Sequence, residues 1–425
     1  MTSTLIVRGA RQLITLHGPV GPRRGSALRE LGIIPDGALL VRDGKIEEVG
    51  PTRRVENLAL ARGAREIDAS GRVVMPGFVD SHTHLAYGAP WLDDYEARIA
   101  GVNPLEAMTG WRAGLEAIRA ATSKGLVARC REVLDTMARH GTTTVEAKTG
   151  FGADADAELK ILRAFARLNG EPLRVESTCF AVAPLLASGR GRPASPDLDR
   201  VASTLLVTAA RRKLARFADV FVDCAGTGLD STARYLRTAA KLGFLLKVHA
   251  DQFGRTGGVP LAISNGAVSV DHLEYAGPED VAALARSETI ATLLPGATFH
   301  LDRGPYAPAR ALVDAGAAIA LASNFNPNTS PTCNMQMVLS LACARMRLTP
   351  AEAITAATIN GAWALRCAET CGSLEVGKTA DLIVLNVSDY REIPYWFGVN
   401  AVHLTVKGGQ LIYRAGAVGA TRPGC

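Results

Sequence analysis

The sequence lacks several features that would place it in other protein classes. No run of about 18 apolar residues occurs, so we expect no transmembrane helix. The N-terminal stretch MTSTLIVRGARQLITL alternates like a β-strand and has no signal-peptide pattern. The formal net charge is only +6 and no block of five or more Lys or Arg occurs. We therefore expect neither a nucleic-acid partner nor an anionic membrane partner.

Two kinds of binding motif are also missing. The eight cysteines lack the paired CxxC spacing of a structural zinc site, and Cys367 and Cys371 have no second Cys or His pair beside them. This cysteine usage fits a reducing cytoplasm. No GxGxxG leads from a strand into a helix, so a dinucleotide site is not indicated. The sequence describes a globular chain of 425 residues, 48% hydrophobic, long enough for one large core and an accessory domain.

The chain shows two kinds of sequence pattern. Residues 1–76 and 370–425 alternate in short runs around glycine turns, which is typical of a small antiparallel sheet. Between them, apolar runs alternate with amphipathic helical stretches, as in FADVFVDCAG before TARYLRTAAKLG. This alternation indicates parallel β/α units, and the length of the segment 77–369 suits an eight-unit barrel. We therefore predict an α/β protein with a (β/α)8 barrel and a separate sheet formed by both termini.

Four histidines lie at the predicted ends of barrel strands. His82 and His84 follow FVD, His249 ends FLLKVH, and His272 follows VSVD. Side chains two apart in a strand point to the same side, so His82 and His84 can reach one ion. A lone histidine at a strand end is more often structural, and His17, His140, His300 and His403 are given that interpretation. The set of four predicts a mononuclear site for Zn²⁺ or Fe²⁺.

At these residues the chain resembles the amidohydrolase superfamily and, within it, the imidazolonepropionase family. The resemblance extends almost end to end, through VMPGFVDSHTHL, HGTTTVEAKTGFG, KVHADQF, VDHLEYAG, FNPNTSPTCNMQM and GSLEVGKTADLIVLN. It implies a metal-dependent TIM-like barrel with a β-sandwich built from both termini, and a homodimer. It also implies hydrolysis of a carbon-nitrogen bond in a five-membered cyclic amide.

The resemblance assigns roles residue by residue. It implies that His82, His84 and His249 bind one divalent ion. For this ion we expect Zn²⁺, with Fe²⁺ as the alternative. The resemblance also implies that His272 steadies the substrate carbonyl and its developing oxyanion, and that Gln252 contacts the ring. A bound cation lowers the pKa of water towards about 7 and polarises the carbonyl, which makes the scheme chemically coherent.

Asn324 departs from the family at the catalytic position. The family has an aspartate there, which contacts the metal and shuttles a proton from the attacking water to the leaving nitrogen. An amide is a weak oxygen ligand and cannot accept that proton. Loss of a positioned general base typically lowers a rate by about 10² to 10⁴. The alternative is that Asn324 arose by neutral drift and that another group, or metal-bound hydroxide alone, completes the hydrolysis.

The predicted substrate pocket departs as well. Trp91 stands where the family has an arginine that grips the propionate, Phe151 replaces a tyrosine, and Ala181 replaces a histidine. In the loop after Asn324, Asn326 matches the family, whereas Asn328 and Thr329 replace a glycine and a serine. An indole cannot replace a bidentate guanidinium. We therefore expect a related, less anionic ring as the substrate and poor turnover of imidazolonepropionate.

Three functions are compatible with the sequence. The first is a hydrolase like imidazolonepropionase, which keeps the predicted ligands and His272. The second is a non-hydrolytic Lewis-acid enzyme, a cyclase, dehydratase or rearrangement enzyme, for which a water-activating aspartate is unnecessary. The third is a catalytically silent binding protein, against which the three retained ligands argue.

Overall fold

The structure is a computed structural model that describes residues 3–102, 109–152, 154–181, 198–222 and 228–416. It contains two eight-stranded sheets. One is parallel and formed by the middle of the chain, and the other is formed by segments from both termini. No helix among the described residues is both long enough and apolar enough to cross a bilayer.

The parallel sheet follows the order of the chain, each strand pairing with the next. Its strands are β6 Phe78–Asp80, β7 Thr142–Lys148, β8 Arg174–Ala181, β9 Phe217–Val222, β10 Leu245–Ala250, β11 Ser269–His272, β12 Ile290–Leu293 and β13 Ile319–Leu321. They are almost entirely buried, as expected for parallel strands covered by helices. In a parallel barrel the residues that follow the strands meet at one mouth.

The two end strands, β6 and β13, are joined at the mouth by backbone hydrogen bonds. The Asn324 N–H donates to the His82 carbonyl at 3.0 Å, and the His84 N–H donates to the Phe325 carbonyl at 2.8 Å. These bonds close the sheet at its carboxyl end. They also tie the Asn324 loop directly to the segment that contains the first two histidines.

Helices surround this sheet and several have clear sequence signals at their starts. The Asp154 side chain accepts from the Ala157 N–H, and Thr349 and Glu352 form a capping box. The α-helices are α1 Thr52–Val55, α2 Leu92–Ile99, α3 Thr109–Ala120, α4 Ser123–Arg139, α5 Ala155–Leu168, α6 Leu198–Val201, α7 Val207–Arg211, α8 Leu229–Lys241, α9 Gly258–Ser264, α10 Pro278–Ala285, α11 Pro295–Leu301, α12 Ala309–Asp314, α13 Met335–Met346, α14 Pro350–Ala356, α15 Ile359–Ala364 and α16 Glu392–Tyr395. Short 3₁₀ helices span Gly25–Arg29 and Ala59–Ala61, and Ala202–Leu206 is a π-helix.

The second sheet brings the two ends of the chain together. Its strands are β1 Thr4–Ile14, β2 Ile33–Arg42, β3 Lys45–Pro51, β4 Arg65–Asp68, β5 Val73–Pro76, β14 Leu382–Leu385, β15 Val402–Lys407 and β16 Gln410–Arg414. The link is β14, which pairs antiparallel with β5. A separate cluster of buried side chains from both termini, including Leu39 and Leu382, forms its core.

The predicted barrel and the separate terminal sheet are confirmed. The division of the chain into a sandwich domain of 1–76 plus 370–425 and a barrel domain of 77–369 stays a prediction. The described cysteines are free, and the sulfurs of Cys367 and Cys371 lie 3.4 Å apart. Neither belongs to a group of described residues that could hold a metal. Cys224 and Cys425 lie outside the described residues.

Candidate metal centre

Four histidines from three strand ends meet at the barrel mouth. The His249 ring centroid lies 4.4 Å from that of His82, 5.9 Å from that of His84 and 5.4 Å from that of His272. The His82 and His84 centroids are 5.5 Å apart. All four rings are buried. The structure therefore brings together the four histidines that the sequence places at strand ends.

Two of these rings have one nitrogen fixed and the other without a partner. His82 Nδ1 lies 2.7 Å from Asp271 Oδ2, and His249 Nδ1 lies 3.1 Å from Asp219 Oδ1. The Nε2 atoms of both rings are buried and have no hydrogen-bond partner. A carboxylate on Nδ1 keeps the proton there and leaves the Nε2 lone pair available, as in many metal sites with histidine ligands. These residues fit a divalent cation.

Two histidines, His84 and His272, are candidates for the third ligand. Nitrogens of His82, His249 and His272 lie within 4.8 Å of one another, a grouping that His84 does not share. His272 Nδ1 lies 3.2 Å from Glu274 Oε1, whereas the buried Nδ1 of His84 has no partner. The predicted ligand set of His82, His84 and His249 therefore stays a prediction, with His272 as the competing third member.

Burial lowers the pKa of three of the four histidines. Burial first, and then the positive charge of Lys148 and the other rings, holds the pKa of His82 well below its usual range. Burial and the neighbouring His249 have the same effect on the pKa of His84, and burial and Lys148 on that of His249. A lowered pKa favours the neutral form of these three rings, which is the form that binds metal ions.

The backbone around the site adopts unusual conformations. Asp251, His272, Leu273 and Asn324 have positive φ angles, and the φ of His272 is 87°. Non-glycine residues rarely adopt this region, and each such residue costs roughly 1–3 kcal/mol unless its side chain compensates. Four of them at the ends of β10, β11 and β13 indicate that the mouth is shaped for a function.

The loop after β13 is held by its own amide side chains. Asn324 Nδ2 donates to Thr329 Oγ1 at 3.2 Å, and Asn326 Nδ2 donates to the same oxygen at 2.8 Å. The backbone N–H groups of Asn328 and Thr329 donate to Asn326 Oδ1. The predicted substrate residues of this loop thus form one network with Asn324, which is only 2% exposed.

Aromatic rings line one side of the histidine cluster. Phe180 stacks on His249 at 4.3 Å, and Phe151 lies edge-on to His84 at 5.6 Å. Trp91 is buried and lies edge-on to Phe151 at 6.3 Å. A Cβ on Gly110 would lie 2.4 Å from Trp91 Cγ, so this glycine lets α3 approach the indole. Phe180 had no role in the sequence interpretation, yet it contacts a predicted ligand.

Two further predicted residues, Gln252 and Ala181, lie at or just after the ends of barrel strands. Gln252 is half-buried in the loop after β10, and Ala181 is the buried last residue of β8. Residues 182–197, which follow Ala181, lie outside the described part of the chain.

Comparison with known proteins agrees with this geometry. Residues 73–412 match the amidohydrolase family, and the chain belongs to that family. It is 41% identical over 420 residues to the imidazolonepropionase of Symbiobacterium thermophilum, covering 97% of this chain and 98% of that protein. It is likewise 41% identical over 416 residues to the imidazolonepropionase of Deinococcus radiodurans, covering 97% and 100%.

Solved structures support the same fold. Guanine deaminase from E. coli superposes with a TM-score of 0.72 at 16% identity, over 97% of this chain and 100% of that one. A zinc-bound adenosine deaminase from Xanthomonas campestris superposes with a TM-score of 0.68 at 19% identity, over 96% and 92%. At these identities the likeness concerns the fold alone.

Proposed function

We propose that this protein is a metal-dependent hydrolase that opens a carbon-nitrogen bond in a five-membered cyclic amide of the imidazolone class. The observation that carries this proposal is the convergence of buried, unpartnered histidine nitrogens at the barrel mouth. The named relatives favour hydrolysis over the non-hydrolytic alternative that the sequence left open.

His82, His249 and either His84 or His272 would hold one divalent cation. Neutral imidazoles suit Zn²⁺ and Fe²⁺, and we propose Zn²⁺ because a small cluster of nitrogen ligands is its usual environment. The ion would polarise the amide carbonyl and make water more acidic. Because residue 324 is an asparagine, it cannot provide a carboxylate ligand to the ion. The proposed ligands are therefore all uncharged.

The other residues bind and orient the substrate in this scheme. If His84 is the third ligand, His272, whose Nδ1 faces the Glu274 carboxylate, offers its other nitrogen to the substrate carbonyl. Gln252 contacts the ring. Asn324 can donate or accept a hydrogen bond but cannot take a proton from water, because an amide has no basic site near neutral pH.

We infer further that the substrate has a less anionic arm than imidazolonepropionate. Trp91, Phe151 and Phe180 form an apolar wall beside two predicted ligands. A carboxylate placed against that wall would lose its hydration without gaining a cation from these three residues.

Exchanging Trp91 for arginine tests this inference. We compare kcat/KM for imidazolonepropionate with kcat/KM for an analogue that has an uncharged propyl arm. We expect Trp91→Arg to raise the ratio of these two values by about 10- to 100-fold, because a charge-assisted bidentate contact contributes about that much. Steady-state kinetics with both substrates measure the ratio. Trp91→Leu is the matched control, because it opens the same space without a charge. Wild-type turnover of imidazolonepropionate at a rate equal to that of the propyl analogue would contradict the inference.

The proposed reaction itself is tested with metal and labelled water. The purified protein should contain about one divalent ion per chain, as a single cluster of ligands implies. Incubation with imidazolones in ¹⁸O-labelled water should place one solvent oxygen in the ring-opened product. A chelator should stop the reaction and added Zn²⁺ should restore it. A product without solvent oxygen, or activity that survives complete metal removal, would refute hydrolysis by this site.

We also propose that the protein acts in the cytoplasm as a homodimer. The scattered free cysteines support the first proposal, because a reducing compartment keeps such thiols reduced. The family resemblance supports the second.

A further inference from the structure

Five fully buried charged side chains on the barrel strands form one connected cluster that contacts the histidines. They are two lysines and three carboxylates, all 0% exposed: Glu146, Lys148, Asp219, Lys247 and Asp271. In the sequence the pair Glu146 and Lys148 is compatible with a plain structural ion pair. It is equally compatible with two residues that shape the pocket. The structure contains the ion pair, with Lys148 Nζ 2.8 Å from Glu146 Oε2, and both residues also belong to a network that reaches the histidines.

Glu146 is the centre of this network. Its Oε1 accepts from Lys148 Nζ at 2.9 Å and from Thr178 Oγ1 at 2.6 Å. Its Oε2 accepts from Lys247 Nζ at 3.1 Å. One carboxylate on β7 thus holds both buried lysines, and the hydroxyl of Thr178 on β8 fixes its orientation.

Each lysine passes this restraint to a carboxylate that holds a histidine. Lys148 Nζ donates to Asp219 Oδ2 at 2.6 Å, and Asp219 is the partner of His249 Nδ1. Lys247 Nζ lies 3.5 Å from Asp271 Oδ2, and Asp271 is the partner of His82 Nδ1. Glu146 is therefore two contacts from each of these carboxylates and three contacts from each histidine. It restrains both carboxylates at once.

Fold stability does not explain such a cluster. Removing charged groups from water costs several kcal/mol per ion, and apolar residues of similar size often stabilise a core equally well or better. The carboxylates also outnumber the ammonium groups, and they lie beside a site whose uncharged nitrogens fit a divalent cation. A role at the metal site accounts for both features.

We propose that Glu146, acting through Lys148 and Lys247, is a positioning residue for the metal site. It keeps Asp219 and Asp271 in the orientations that aim Nε2 of His249 and Nε2 of His82 at one point. The network acts on metal affinity without touching the ion, the substrate or the reacting atoms. This role goes beyond the proposed hydrolysis, and its test needs no substrate.

The test measures metal affinity in Glu146→Gln, which preserves shape and removes the charge. Competition with a chromophoric chelator gives the Kd for Zn²⁺, and the visible absorption of bound Co²⁺ reports the ligand geometry. We expect Zn²⁺ binding about 10- to 100-fold weaker, the usual effect of losing an outer partner of a metal ligand, and an altered Co²⁺ spectrum.

A control variant separates positioning from loss of stability. Asp381→Asn breaks the largely buried ion pair with Lys407 in the terminal sheet, where Nζ and Oδ2 lie 2.9 Å apart. We expect it to lower the melting temperature of the apo protein and to leave the Zn²⁺ affinity unchanged. If Asp381→Asn weakens metal binding as much as Glu146→Gln does, the effect is one of stability and the proposal is wrong.

Two further variants keep the test decisive. Lys247→Met removes a positive charge near the site, so a purely electrostatic network predicts tighter Zn²⁺ binding, whereas positioning predicts weaker binding. Thr178→Val removes only the hydroxyl that orients Glu146. If Glu146→Gln does not fold, this variant tests the positioning role in its place. We expect a several-fold loss of affinity and a shifted Co²⁺ spectrum. Tighter binding in Lys247→Met, or wild-type binding in Thr178→Val, would overturn the proposal.

Discussion

His249→Ala is expected to abolish metal binding and to reduce hydrolysis to the background rate. His249 lies at the centre of the cluster, with its ring within 5.9 Å of the other three histidines. Its unpartnered Nε2 is one of the buried nitrogens aimed into the site. Because a metal site must retain enough neutral or anionic ligands, we expect the metal content to fall from about one ion per chain to less than about a tenth of that. Metal analysis after dialysis and a hydrolysis assay measure the two effects.

His140→Ala is the matched control for this prediction. The His140 ring lies at the end of α4, where Nδ1 faces the Thr136 carbonyl at 3.0 Å, away from the cluster. The His140→Ala variant should keep the metal content and the hydrolysis rate of the parent. A His249→Ala protein that still binds one ion with the affinity of the parent would remove the basis for the proposed function.

The same two measurements, made on His84→Ala and His272→Ala, identify the third ligand. The sequence prediction names His84, whereas the compact group contains His272. If His84 is the ligand, His84→Ala loses metal, and His272→Ala keeps metal but loses rate because it acts on the substrate carbonyl. If His272 is the ligand, the two variants exchange these results. Measuring metal content and rate in both variants resolves the question.

The sequence predicted the fold because its signals are local. Apolar runs followed by amphipathic stretches predict parallel β/α units, and β9 and β10 lie at the runs FADVFV and FLLKVH. The convergence of His82, His249 and His272 followed from the rule that strand ends of a barrel share one mouth. The backbone hydrogen bond between Asn324 and His82 could not be predicted in this way, because it joins residues 242 positions apart through closure of the sheet.

The buried charges show where sequence reasoning stops. Lys247 lies two residues before His249, so the strand period places both inside the barrel, yet a lone lysine in an apolar run does not reveal its partner. Its partners come from β7 and β11, which are distant in sequence. The same holds for Asp219, which contacts Lys148 and His249 from a third strand. Only the three-dimensional neighbours distinguish a positioning network from an isolated charge.

Asn324→Asp is expected to raise hydrolysis of imidazolonepropionate by about 10² to 10⁴, the usual contribution of a positioned general base. The fold can accept the change. Asp adopts positive φ nearly as readily as Asn, and the φ of residue 324 is 53°. The backbone bond to His82 does not involve the side chain. Thr329 Oγ1, which now accepts from the amide, can donate to a carboxylate instead.

The new charge should also make the stability of the variant depend on the bound metal. Residue 324 is 2% exposed, so an aspartate there would lose its hydration in the apo protein and regain a partner with the cation present. We therefore expect Asn324→Asp to lower the melting temperature of the apo protein and to bind Zn²⁺ more tightly. Asn326→Asp, two residues further along the same loop, is the control and should not raise the rate. If Asn324→Asp binds metal more tightly but turns over the preferred substrate more slowly, the uncharged amide belongs to the mechanism. If the preferred substrate and imidazolonepropionate both react faster, proton transfer at residue 324 limits the natural reaction.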